Sequence, residues 1–148
     1  MGGMKETQPC VIDARKAAKE NTAFRSVLYT GERSQLVMMA LAPGEEIGLE
    51  MHAHVDQLLY VVTGEGVAVF GDARQPCPKG AVFCVPAGTK HNLVNTSGKP
   101  LKLLTVYSPP QHAPGTVHVT KADADAAERA NDANVGSVPS RKSTTGGP

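Results

Sequence analysis

Short bursts of apolar residues, each closed by glycine or proline, run from residue 24 to residue 107 and predict strands rather than helices. The expected strands span residues 24–29, 35–42, 49–53, 57–62, 67–70, 81–85, 91–94 and 101–107. Thr30-Gly31, Pro43-Gly44, Gly71-Asp72 and Pro86-Ala87-Gly88 supply the breaks. Period-two alternation puts Gln57, Leu59 and Val61 on one face and Leu58, Tyr60 and Val62 on the other. Both faces are apolar beyond Gln57, as are both faces of residues 36–42. A barrel strand facing water would be polar on its outer side. The pattern therefore predicts a covering layer, either the N-terminal segment or a second subunit, and the expected assembly is a homodimer.

The flanks are plainer. Residues 1–10 read as a polar lead-in, Val11-Ile12 as the start of a short strand, and residues 16–20 as at most one helical turn. After Ser108-Pro109-Pro110 comes an extended piece at 116–120. The alanine-rich, alternately charged stretch 121–130 predicts a short exposed helix, and residues 131–148, small and polar, predict a disordered tail. Many short strands with little helix predict an all-β sandwich or barrel. The expected organisation is an N-terminal segment (1–23), one barrel (24–120), the helix (121–130) and the tail (131–148).

Composition narrows the function classes. A chain of 148 residues holds one hydrophobic core. A formal net charge of +1, no basic block and few aromatics leave no footprint for nucleic acid. The apolar runs are too short to span a bilayer and the N-terminus lacks a secretory layout, so neither a membrane nor export is expected and the chain reads as cytoplasmic. Cys10, Cys77 and Cys84 have no paired spacing and read as free thiols.

The chemistry concentrates between Gly44 and Asn95. Residues two apart on a strand share a face, so Glu50 and His52 point the same way; Gln57 follows after a turn through 53–56. His91 comes from a distant strand, placed by the Pro86-x-Gly88 turn. The spacing Gly80-x5-Pro86-x-Gly88-x2-His91-x3-Asn95 resembles, at every fixed position, the second signature of the cupin superfamily, small β-barrels that usually hold one metal ion. The first half, Gly44-x5-Glu50-x-His52-x4-Gln57-x6-Gly64, keeps that family's glycine anchors. It departs at the Glu50 position, where the family usually has histidine, and at Gln57, where it usually has glutamate.

The resemblance covers about residues 24–107 and implies a double-stranded β-helix, the jelly-roll barrel. It also implies that Glu50, His52, Gln57 and His91 ligate one divalent transition metal ion. Two imidazoles, a carboxylate and an amide oxygen suit Fe, Mn, Ni or Zn better than Cu(I) or Ca. The plainer alternatives are a satisfied polar residue at Gln57 and a solvated charge at Glu50. Reading His52-Ala53-His54 as the family's histidine pair would place the glycine anchor at Glu46, so His54 is a rim residue, either a proton shuttle or solvent-facing. His54 and Asp56 are the nearest candidates for a general acid or base. Asn95, Gly64 and Gly80 read as turn and closure residues, and His112 and His118 as surface positions.

Within the superfamily the chain is similar to single-domain cupins described as mannose-6-phosphate-isomerase-like, and in its His-x4-Gln spacing to a cupin that opens unsaturated uronates. The implied function is a metal-dependent enzyme on a small carbohydrate or oxo-acid, anionic or polyhydroxylated, using isomerase, ring-opening or lyase chemistry. The alternatives are an Fe(II)- or Ni-dependent dioxygenase and a non-enzymatic metal or small-ligand binding module.

Overall fold

A computed structural model describes residues 8–136. In chain order the elements are helix α1 (Ala14–Glu20), strands β1 (Arg25–Thr30), β2 (Gln35–Leu41), β3 (Asp56–Thr63), β4 (Glu65–Phe70), β5 (Ala73–Pro78), β6 (Val82–Val85), β7 (His91–Val94), β8 (Leu101–Ser108) and β9 (Val117–His118), and helix α2 (Lys121–Gly136). The strands form a six-stranded sheet in the order β6-β3-β8-β2-β1-β9 and a three-stranded sheet in the order β5-β4-β7, with antiparallel pairing throughout. Two sheets enclosing one core make a jelly-roll barrel of the expected all-β class.

Alternation along the central strands builds the core. Val37, Met39 and Leu41 of β2, Leu59 and Val61 of β3, and Leu101 and Leu103 of β8 all turn inward and are buried. Gln57, Thr105 and Tyr107 occupy the same inward rows and are buried as well, so one end of the barrel interior is polar. The outward row of β2 is also apolar, as expected, and α1 packs against it. Ala18 of α1 is fully buried against Met38 and Val62, with Ala17, Leu36 and Leu104 around them. The Asp13 carboxylate caps this helix by accepting from the Lys16 amide at 3.1 Å.

Several expectations are corrected. Val11-Ile12 begins no strand, and the helix that follows spans Ala14–Glu20 rather than a single turn. Residues 49–53 form no regular strand: positive φ at Gly44 and Gly48 breaks the ladder against β7 into isolated bridges, Glu46 to Val94 and Glu50 to His91. Strand β5 was not expected because it is polar and carries Pro76 and Pro78, which confine it to a sheet edge. Helix α2 extends past Ala130 to Gly136, replacing part of the expected tail, and Ala124 is buried in the main core, so the helix is not wholly exposed. Residues 137–148 of that tail lie outside the described residues. Among the described residues no helix is long and apolar enough to cross a membrane.

Candidate metal centre

Backbone pairing places the candidate ligands before any side-chain chemistry enters. The amide of Glu50 donates to the His91 carbonyl and the amide of His91 to the Glu50 carbonyl, both at 2.9 Å. Residues paired this way across antiparallel backbone project their side chains to the same face, so Glu50 and His91 are neighbours by construction. His52, two positions on, is tied down by the Gly88 amide, which donates to its carbonyl at 2.8 Å. The Pro86-x-Gly88 turn thus holds the backbone of two ligands. Gln57 enters the same space from the first inward position of β3 and is buried.

The side chains converge. Glu50 Oε1 lies 3.4 Å from His52 Nε2 and 3.9 Å from His91 Nε2. Ligand atoms from Glu50, His52 and His91 all fall within 4.8 Å of one another. His91 Nδ1 is 2.8 Å from the Thr89 carbonyl, which can only accept, so Nδ1 carries a proton and Nε2 is the ring nitrogen turned inward. Gln57 donates from Nε2 to Thr105 Oγ1 at 3.0 Å and turns Oε1 to within 3.0 Å of that same His91 nitrogen.

The donor set fits a transition metal ion on two grounds. Glu50 Oε1 and His52 Nε2 are buried with no hydrogen-bond partner, a costly state for polar atoms unless something binds them. Gln57 Oε1 and His91 Nε2 lie 3.0 Å apart, close enough for one cation to be held by both.

Beside the cluster lies a cavity of about 290 Å³. Arg25, Gln111, His112 and His118 line it with Glu50 and His52, and Ala124, Ala127, Glu128 and Asn131 of α2 roof it. Arg25 Nη1 donates to His118 Nδ1 at 3.1 Å, and Nη2 stands 3.8 Å from Glu50 Oε2. Burial, reinforced by the Glu50 charge, pushes the Tyr107 phenol well above its usual range, so it stays protonated. Its ring meets His52 and His112 edge-on, at centroid distances of 5.8 and 5.0 Å.

The four expected ligands are therefore brought together. His54 and Asp56 are not part of the cavity lining: both are exposed, and the Asp56 carboxylate caps the Ala87 amide at 2.9 Å. His112 and His118, expected at the surface, line the cavity instead. Arg25 was missed, although it alternates with Val27 on the buried face of β1, and a charge in that row is the signal that could have found it.

A jelly-roll barrel with a histidine and carboxylate cluster at one end defines a class of small metal-site barrels, and the comparisons give its family. Residues 37–107 match the family model described as Cupin domain. The chain is 44% identical over 127 residues to the uncharacterised protein YrkC of Bacillus subtilis, covering 82% of this chain and 68% of that one. The crystal structure of the Bacillus halodurans protein BH2720 superposes with a TM-score of 0.80 at 42% identity, covering 81% of this chain and 96% of that one. That of a predicted oxalate decarboxylase from Thermotoga maritima gives a TM-score of 0.51 at 28% identity, covering 53% and 69%. The chain belongs to the cupin family.

Proposed function

We propose that the chain holds one divalent transition metal ion on Glu50, His52, Gln57 and His91 and is a metal-dependent enzyme acting on a small oxo-acid or carbohydrate. The observation that carries this reading is the pair of buried, unpartnered atoms Glu50 Oε1 and His52 Nε2, aimed at the point that His91 Nε2 also faces. A bound ion would supply Lewis acidity, polarising a carbonyl or stabilising an enolate, as suits isomerase, ring-opening or lyase chemistry.

The chain's own groups divide the remaining work. Burial, then the Arg25 charge, holds the His112 pKa down to about 3, so its imidazole is neutral at physiological pH. Its buried Nε2 has no partner and lines the cavity, a better position for hydrogen-bonding a ligand than His54 or Asp56 occupies. Helix α2 limits water at the mouth through Ala124 and Ala127. The description of the Thermotoga maritima relative as a predicted oxalate decarboxylase supports a small carboxylic acid as the ligand.

Elemental analysis of protein purified without added metal tests the reading, alongside a His52→Ala, His91→Ala double variant. Near-stoichiometric iron, manganese, nickel or zinc that disappears in the variant is the expected result. A wild-type chain that arrives metal-free and takes up none of these ions on titration would reject it.

A further inference from the structure

Among the described residues, four buried side-chain atoms lack a hydrogen-bond partner: Arg25 Nε, Glu50 Oε1, His52 Nε2 and His112 Nε2. All four belong to residues that line the same cavity. Two of them are accounted for by the metal cluster. The other two, an arginine N–H and an imidazole nitrogen, lie outside the ligand set and need a different explanation.

Arg25 is held firmly and is ion-paired with Glu50, but it makes no hydrogen bond to that carboxylate. Its side chain is only 6% exposed. Arginine has no acceptor, so its contact with His118 Nδ1 makes that nitrogen the acceptor and the ring neutral, in keeping with the lowered His118 pKa that burial and Arg25 produce. The Tyr107 hydroxyl is a second neutral partner. The nearest carboxylate oxygen, Glu50 Oε2 at 3.8 Å, is beyond hydrogen-bond reach. The other carboxylate of the lining, Glu128, belongs to an exposed residue of α2. A fixed, buried guanidinium with one N–H unspent is matched in shape and charge by a carboxylate.

We propose that Arg25, with His112 beside it, is the carboxylate-binding half of the cavity, so that the ligand is a small carboxylic acid anchored on the guanidinium with its neighbouring oxygen directed at the Glu50, His52 and His91 cluster. The second clause rests on the metal reading above; the anchoring by Arg25 does not. Charge favours this assignment further. A divalent ion and Arg25 together outweigh the single buried carboxylate of Glu50, and an anionic ligand restores the balance that a neutral sugar leaves unmet.

The test is calorimetric titration of the full chain with pyruvate and malonate and with their neutral amides, pyruvamide and malonamide. It is run on metal-loaded and metal-stripped protein, with metal content measured on the same samples. An acid is expected to bind roughly ten- to a hundredfold tighter than its amide, the worth of hydrogen bonds to a charged group. Arg25→Met is expected to abolish that preference while keeping metal content. If Arg25→Met does not fold, Arg25→Lys, which keeps the charge but not the fork, is expected to reduce the preference about tenfold. Equal binding of acid and amide by the wild-type chain, binding of neither, or a preference that survives in both variants would overturn the proposal. A chain that binds no metal yet prefers the acids leaves Arg25 in place and removes only the metal reading.

Discussion

His112 sits edge-on to Tyr107, partly buried and close to the Arg25 charge, and its pKa falls from 6.5 to about 3. In the unfolded chain it titrates near its ordinary value, so between pH 6.5 and 3 the unfolded state binds the extra proton and stability rises with pH. The expected outcome is a melting temperature that drops as pH is lowered through this window, with a shallower drop in His112→Phe; thermal melts at stepped pH check it. The same residue shows what the sequence concealed. Glu50, His52, Gln57 and His91 are recognisable because local spacing fixes their relation to turns at Gly64 and Gly88. Arg25, His112 and His118 come from β1 and the segment after β8; the pairing of Arg25 with His118 across β1 and β9 and the bonds of the Gln35 side chain to the His112 backbone bring them to the cavity. No short-range spacing encodes that pairing.

Among the elements, the closures between strands bear the most specific constraints. Gly64, between β3 and β4, has φ of 86°, and a Cβ there would lie 2.5 Å from the Pro100 carbonyl oxygen, a backbone atom that cannot step aside. Gly80 has nearly the same φ, 88°, but open space around it. Gly80→Ala is therefore expected to cost about 1–2 kcal/mol, the penalty of the left-handed conformation alone. Gly64→Ala should cost clearly more, and chemical denaturation of the two variants separates the contributions. Asn95 fastens another closure, donating to the carbonyls of Leu41, Ala42 and Lys99 and accepting from Ser97. The central strands were readable because they are short apolar runs bounded by turn residues, with every inward position packed in the core. Strand β5 and the segment around Glu50 were not, since prolines and positive-φ glycines interrupt the pattern that alternation depends on.

At the scale of the whole molecule, α1 answers only part of the demand for a covered outer face. Leu58 and Tyr60 of β3 and Val82 of β6 remain 45%, 37% and 51% exposed, and register puts Leu58 beside the exposed Cys84 and Tyr60 beside Val82. This apolar patch lies next to β6, an edge of the larger sheet. A second copy packed on it is the expected assembly: light scattering should give a dimer mass for the wild-type chain and a monomer mass for the double variant Leu58→Glu, Tyr60→Glu, with the site unaltered. A monomeric wild-type chain would refute this.

The paired amides of Glu50 and His91, and the link from Gly88 to His52, have one more consequence. They fasten the backbone of three of the four candidate ligands through the protein's own hydrogen bonds. An arriving ion then orders no loop and forfeits little chain entropy; what it must shed is mainly its own water.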